Sequence, residues 1–212
     1  TIQRLMAIER PIAFVRGNAD RELVERFDQL AAGEPDIPDE EDAPGYAGWC
    51  ARRLSRAQRD FLASFRDTAS YVVDGLGSVL FCHGSPRSDT EIITAITPEA
   101  RFAPMVADAG EDIVVCGHTH VQFDRFMAGK RVLNAGSVGM PYESAPGAYW
   151  LLLGPEVEHR HTTYDLEQAA EAVRSSGYPI ADELAGGNIL QVPSAEEATL
   201  LFERMATEDD PQ

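Results

Sequence analysis

A short apolar segment that ends in a glycine and two histidines constrains this chain more than any other feature. Residues 113–116 are apolar and mostly β-branched, Gly117 follows them, and His118 and His120 stand just beyond. A short apolar run bounded by turn-forming residues predicts a buried strand. Gly117 allows a sharp turn where that strand ends. Because ligands of open α/β folds bind at the carboxyl ends of strands, we expect both imidazoles at the rim of a sheet.

The histidine pair has two interpretations. Imidazole is a common metal ligand, and a His-x-His at the end of a strand can direct both rings to one place. Short motifs also recur by chance, so two ordinary loop histidines remain the alternative for this pair taken alone.

Two further strand ends carry ligand-type side chains beside a glycine. Asn18 follows Gly17 at the end of the predicted strand 12–15, and His83 follows the predicted strand 78–82 and precedes Gly84. If these strands share one core, their ends can converge with His118 and His120. A mixed set of imidazole nitrogens and an amide oxygen suits divalent Mn, Fe, Zn or Ni.

The strongly acidic composition limits the partners. The chain has 35 acidic and 18 basic side chains, for a formal net charge of −17. This argues against a nucleic-acid surface or an anionic membrane surface, since both require a basic footprint. We also expect no membrane span, because no apolar stretch approaches the roughly 18 residues that a span needs. With three cysteines, no C-x-x-C motif and no signal segment at the start, the simplest compartment is the cytoplasm.

Helical and strand patterns alternate along the chain. Predicted helices are 2–9, 21–30, 55–65, 98–110, 166–175 and one that ends near 205 after a Ser194–Glu197 capping box. Predicted strands are 12–15, 71–73, 78–82, 113–116, 122–126, 131–134, 148–153 and 157–164.

Four weaker features favour ordinary structure over a site. The acidic loop 33–48 lacks the ordered spacing of a calcium loop. His159 and His161 lie on a predicted hairpin without a third ligand nearby, which is typical of a solvated sheet face. Ser137 lies in a near match to G-x-S-x-G, but it lacks the first glycine and a following helix, which disfavours a serine hydrolase. The segment 75–77 lacks the third glycine and the helix of a dinucleotide loop.

Four motifs, taken in order, resemble the calcineurin-like metallophosphoesterases, and most of all their small bacterial phosphodiesterases. They are Gly17-Asn18-Ala19-Asp20, His83-Gly84-Ser85-Pro86-Arg87-Ser88-Asp89, Gly117-His118-Thr119-His120 and Asn134-Ala135-Gly136-Ser137-Val138-Gly139-Met140-Pro141. The resemblance covers about residues 12–142. It implies an α/β (α+β) fold, a four-layer αββα sandwich. We expect one domain over 1–212, with the acidic loop at 33–48 and a C-terminal helical extension at 165–212.

The resemblance also implies a two-metal site. Asn18, His83 and His118 resemble ligands of one divalent ion, and His120 resembles a ligand of the other. Manganese is favoured, with iron, zinc or nickel open. The loop 134–137 would pack beside the site and orient its ligands. Two such ions activate water for attack on a small phosphoester, so no side chain is assigned as a nucleophile.

The chain departs from the family pattern in two ways. It contains neither the Asp-x-His nor the Gly-Asp motif of the first strands. The resemblance therefore implies that the N-terminal strand-helix-strand portion is missing, and that activity of the chain as given is uncertain. Ala19 replaces a common histidine, which leaves the range of substrates open. The alternative is a non-catalytic scaffold on the same fold, like the retromer subunit that resembles it; the intact Asn18, His83, His118 and His120 favour the enzyme.

Overall fold

The computed structural model describes residues 1–35 and 47–208. The chain divides into two compact units, residues 1–67 and 68–212. Most of the predicted acidic loop, residues 36–46, lies outside the described residues. The prediction of a single domain over 1–212 stays a prediction.

The N-terminal unit is helical. Its helices are α1 (Ile2–Met6), α2 (Asn18–Ala31), α3 (Ala47–Ala51) and α4 (Arg56–Ala63). Ser55 begins α4 through a capping box, in which the Ser55 Oγ accepts from the Gln58 amide at 3.2 Å. In return, the Gln58 Oε1 accepts from the Ser55 amide at 2.8 Å, so two amides of the first turn are satisfied.

The predicted strand 12–15 is wrong. In the described part of this unit the segment forms only an isolated bridge, from Val15 to Arg66. Its one large aromatic residue, Phe14, stacks on Phe65 at 4.8 Å between ring centroids and meets the edge of Phe61 at 5.2 Å. The apolar run thus reflects aromatic packing within this unit rather than pairing in a sheet.

The C-terminal unit contains a mixed five-stranded sheet. Its strands are β1 (Thr68–Val73), β2 (Gly77–Cys82), β3 (Ile113–Cys116), β4 (Phe123–Met127) and β5 (Lys130–Asn134), in the order β1-β2-β3-β5-β4. β2, β3 and β5 run parallel, while β1 and β4 run antiparallel to their neighbours at the two edges. The residues that follow β2, β3 and β5 therefore emerge at the same edge of the sheet.

Side chains alternate between the two faces of this sheet. One face packs against buried residues of the segment 92–106, with Phe102 and Ile93 at its centre. The other face packs against Leu151, Leu153 and Val157 of a second, two-stranded sheet. That sheet consists of β6 (Ala148–Leu153) and β7 (Val157–Thr162). The unit therefore has the mixed α/β architecture that the sequence predicts, with one sheet stacked on another.

The predicted helix 98–110 is shorter than expected. The α-helix α5 spans Glu99–Phe102 and continues as a 3₁₀ turn over Ala103–Met105. Pro98 is the N-cap rather than the first helical residue. Pro104 has no amide hydrogen, so it cannot donate the bond that would prolong the α-helix.

Helices complete the unit. They are α6 (Leu166–Arg174), α7 (Ala181–Leu184), a π-helix (Ala185–Leu190) and α8 (Ala195–Glu208). The predicted capping box before α8 is confirmed: the Ser194 Oγ accepts from the Glu197 amide at 3.3 Å, and the Glu197 carboxylate accepts from the Ser194 amide. The sequence did not predict α7 or the π-helix, nor α3, which begins inside the predicted loop 33–48. None of the described helices has both the length and the apolar character needed to cross a membrane.

Replacing Phe102 by alanine should lower the free energy of unfolding by about 3–5 kcal/mol, because Phe102 is fully buried against the sheet. The matched control is Phe126→Ala, whose side chain is 77% exposed and should cost less than about 0.5 kcal/mol. Urea unfolding of both variants measures the difference. Equal losses would contradict the packing described for this face.

Candidate metal centre

Three histidines lie at the edge where β2 and β3 end. His83 directly follows β2, and His118 and His120 follow β3. The Gly117 amide donates to the His83 carbonyl at 2.7 Å, which joins the two strand ends. The rings of His83 and His118 meet edge to face, with centroids 5.1 Å apart. The structure thus brings these two predicted ligands into direct contact.

The backbone at both His118 and His120 is left-handed, with φ of 63° and 58°. This conformation costs an L-residue on the order of 1 kcal/mol or more, although histidine adopts it more readily than most residues. Thr119 between them is 1% exposed, and its Oγ1 donates to the Ile93 carbonyl at 3.3 Å. The buried threonine anchors the turn while the flanking imidazoles stay half-buried. Sequence reasoning did not identify Thr119 as a part of the site.

Asn134, the last residue of β5, holds this turn in place. Its Nδ2 donates to the Gly117 carbonyl at 2.7 Å and to the Thr119 Oγ1 at 3.0 Å. Its Oδ1 accepts from the Gly136 amide at 2.8 Å. The side chain is fully buried, so these bonds form away from competing water. Asn134 therefore connects the histidine turn to the glycine-rich loop 135–141.

Burial keeps the three imidazoles neutral. The pKa of His118 is lowered to about 4, chiefly by burial and to a smaller extent by the neighbouring His83. Burial also lowers the pKa of His83 and of His120, with smaller contributions from His120 on His83 and from His118 on His120. Neutral imidazole is the form that binds a metal. His120 belongs to the same cluster because it lies two residues beyond His118 on the same turn.

A carboxylate that sequence reasoning missed lies near this cluster. The negative charge of Asp89 acts against the effect of burial and raises the pKa of both His83 and His118. A hydrogen bond from the His118 ring to the Thr90 backbone acts in the same direction. The loop after β2 therefore supplies both a charge and a backbone acceptor to the imidazoles. Asp89 is the final residue of the second sequence motif, which was the only available signal.

The donor chemistry of the cluster fits a divalent metal. The His120 Nδ1 is buried and has no hydrogen-bond partner among the described residues, so a lone pair or an N–H there is unsatisfied. A metal ion would satisfy the lone pair of a neutral imidazole. Among residues 1–35 and 47–208, however, no group of three or more His, Cys, Asp or Glu is arranged to hold a metal ion. The type of donor atom in the cluster therefore suits a divalent metal, but the described side chains do not form a complete set of ligands.

The fourth predicted ligand lies in the N-terminal unit. Asn18 is the first residue of α2, and its Nδ2 donates to the Glu22 Oε1 at 3.4 Å. Its convergence with the three histidines stays a prediction. Ala19 next to it is exposed.

The other candidate residues, His159, His161 and Ser137, make contacts of their own outside the histidine cluster. His161 stacks on Tyr149 with centroids 4.4 Å apart, and His159 Nε2 lies 3.3 Å from the Phe123 carbonyl. The Ser137 Oγ accepts from the Met140 amide at 3.0 Å. In the described chain the first helix after Ser137 is α6, far beyond the position that a nucleophile elbow requires.

Comparisons with known proteins agree with this fold. A family model described as the calcineurin-like phosphoesterase superfamily domain matches residues 1–153. A hypothetical protein from Pyrococcus horikoshii OT3 matches with a TM-score of 0.67 and 17% identity over 88% of this chain and 77% of that one. A metallophosphoesterase from Sphaerobacter thermophilus matches with a TM-score of 0.62 and 20% identity over 85% of this chain and 77% of that one. At these identities the two structures show a shared fold alone. No curated protein matches the sequence. The assignment to a small bacterial branch stays a prediction.

In metal-free protein, stability should fall as the pH drops from about 6.5 to 4. The unfolded chain then protonates His118 near its ordinary pKa, while the folded chain binds that proton only near pH 4. The unfolded state thus gains protons first, and this single group contributes a slope of at most about 1.4 kcal/mol per pH unit. His118→Gln should flatten the curve of unfolding free energy against pH in this window. Identical slopes in both proteins would contradict the burial described for the ring.

Asn134→Ala should lower the free energy of unfolding by about 2 kcal/mol, because the buried Thr119 hydroxyl loses its donor and the half-buried Gly136 amide loses its acceptor. It should also shift the NMR signals of the His118 and His120 rings, since the turn loses its anchor. Asn188→Ala, in the π-helix, is the control and should change neither reading by much. Unchanged ring signals in the Asn134 variant would show that the turn holds its shape without this amide.

Proposed function

The chain belongs to the calcineurin-like phosphoesterase superfamily, and from this premise we propose that it is a metal-dependent phosphoesterase. The proposed reaction is hydrolysis of phosphodiesters or small phosphomonoesters. The observation that carries the proposal is the cluster of His83, His118 and His120: burial keeps the imidazoles neutral, the rings of His83 and His118 are in contact, and the His120 Nδ1 is unsatisfied. A core histidine usually satisfies both ring nitrogens, so this one has the character of a ligand.

The proposed metal ligands are the three imidazoles together with the Asn18 amide. A pair of divalent ions, with manganese favoured and iron, zinc or nickel as alternatives, would supply Lewis-acid polarisation of a phosphoryl oxygen when bound. Asp89 contributes a nearby negative charge that favours cations at the imidazoles. Bound cations are needed here because a chain with a net charge of −17 otherwise repels an anionic ester.

The protein groups themselves bind and orient. Asn134 and Thr119 fix the backbone on which His118 and His120 stand, so the imidazoles need little reorganisation when a ligand arrives. The bond between Gly117 and His83 keeps the third imidazole in register with them. This rigidity is what a site for phosphoryl transfer requires, because positioning accounts for much of the rate enhancement.

A non-catalytic scaffold is the second candidate. It is favoured by one observation, that the described side chains do not assemble a group of three or more acidic, Cys or His ligands. A scaffold needs the fold but has no requirement for bound metal. Metal content and turnover therefore separate the two candidates.

The test uses the full-length gene product, stripped with a chelator and reloaded with manganese, iron, zinc or nickel. We expect metal content of about two ions per chain and metal-stimulated cleavage of bis(4-nitrophenyl) phosphate or 4-nitrophenyl phosphate. His83→Gln and His118→Gln should each lower kcat/KM by at least about tenfold.

Two controls make this outcome specific. His161→Gln changes a histidine outside the cluster and should retain activity. Ser137→Ala should also retain activity, and its loss would instead favour a serine hydrolase. If the stripped protein shows no turnover after it is reloaded with each of the four metals, the proposal is overturned and the scaffold is favoured.

A further inference from the structure

Two aromatic rings extend the histidine cluster. The Tyr142 ring centroid lies 5.3 Å from that of His120, and the Phe202 centroid lies 6.4 Å from that of His118. Tyr142 and Phe202 are themselves 6.1 Å apart. These distances are within the range of ring-to-ring contact. We call Tyr142 and Phe202 the aromatic wall, because together they border both imidazoles that follow β3.

The Phe202 ring comes from α8, which lies beyond residues 1–153 that the family model matches. Its neighbour Glu203 fixes the helix in place. The Glu203 Oε1 accepts from the hydroxyls of Thr94 and Thr97, both at 2.6 Å, and the Oε2 accepts from the Arg101 Nη2 at 2.6 Å. Both threonines are buried, and the Arg101 and Glu203 side chains are only 15% and 16% exposed. Hydrogen bonds to charged groups in such surroundings are strong.

A second contact fixes the other ring of the wall. The Tyr142 amide donates to the His120 carbonyl at 3.1 Å, so Tyr142 moves with the histidine turn. Its hydroxyl donates to the Met140 Sδ at 3.5 Å, which orients the ring. Tyr142 and Phe202 are both only half-buried, so each leaves part of its surface open. Two positioned, partly open rings beside the imidazoles are more than the fold needs for its core, which lies on the faces of the sheet.

We propose that the aromatic wall binds a planar aromatic group of the phosphoester, such as a nucleobase or an aryl ring. The inference rests on the proposed function, since it places the phosphoryl group at the imidazoles. An aromatic substituent of a phosphoryl group bound there would be near Tyr142 and Phe202, whose ring centroids lie 5.3 Å from His120 and 6.4 Å from His118, respectively. Flat faces of Phe and Tyr favour offset stacking with another aromatic ring, and the acidic chain disfavours a further negative charge there. Phe202 is thus a specificity-determining residue, and Glu203 is a positioning residue for it.

The test measures binding, which does not depend on turnover. The probes are phenyl phosphate against cyclohexyl phosphate, and adenosine 5′-monophosphate against ribose 5-phosphate, titrated by NMR into the metal-loaded protein. Phe202→Ala should lower the affinity for at least one aromatic probe by about five- to tenfold and the affinity for the non-aromatic probes by less than twofold. Phe202→Trp should retain the aromatic preference. If Phe202→Ala lowers the affinity for adenosine monophosphate, the substrate is a nucleotide. If it lowers the affinity for phenyl phosphate alone, the substrate is an aryl ester.

The control is Leu201→Ala, which removes an exposed side chain next to Phe202 on α8 and should leave all four affinities unchanged. Glu203→Gln should lower the ratio of aromatic to non-aromatic affinity, because α8 loses its charged anchor while Phe202 remains. The inference is overturned if Phe202→Ala leaves the aromatic affinities within twofold, or if it weakens phenyl and cyclohexyl phosphate equally.

Failure of the proposed function has a different signature. Probes that stack on the wall but are never hydrolysed with any metal would contradict the phosphoesterase and leave the aromatic subsite standing. Hydrolysis that continues with no aromatic preference would contradict the subsite and leave the enzyme standing.

Discussion

The buried amide of Asn134 is the interaction on which the candidate site depends. It makes three hydrogen bonds, and these reach the carbonyl before His118, the hydroxyl of Thr119 and the amide of Gly136. Without it, the turn that carries both histidines would lose its side-chain link to β5, and the bond from Gly117 to His83 would still join it to the end of β2. Because that turn is held in an unfavourable left-handed conformation, the bonds also offset the strain that it stores. The geometry of the imidazoles is therefore set by a residue that does not itself need to touch a metal or a substrate.

The strand order explains why Asn134 can play this part. β5 lies beside β3 in parallel, and Asn134 pairs with Cys116 in their register. β2 lies on the other side of β3, which brings His83 to the same edge. Three neighbouring parallel strands thus deliver a ligand-type side chain, a histidine turn and the amide that supports it to one place. Neither sheet face is needed for this, so both remain available for the core.

The sequence predicted the local features of this arrangement well. The helix that begins after Ser55 and the capping box at Ser194 follow from residues close together in the sequence, and both are confirmed. The fully buried β3 and the position of the histidines after it follow from a short apolar run and a glycine that are visible in the sequence alone. The interpretation of 12–15 as a strand failed because an apolar run does not specify whether it is used for pairing or for ring packing, as at Phe14.

Non-local features could not be read in the same way. Nothing in the sequence connects Glu203 to Thr94, or Phe202 to His118, because those contacts join segments far apart in the chain. The low pKa of His118 likewise depends on burial by distant residues. The convergence of Asn18 with the histidines is of the same kind and stays a prediction.

The left-handed backbone at positions 118 and 120 also governs how this site can change through evolution. The backbone conformation limits which residues can replace these histidines, since β-branched and bulky side chains are strained at positive φ. Asparagine and aspartate are among the residues that a single-base change of a histidine codon can produce, and they tolerate this conformation well and offer an oxygen to a cation. These two replacements therefore preserve both the shape of the turn and a polar oxygen at the end of β3.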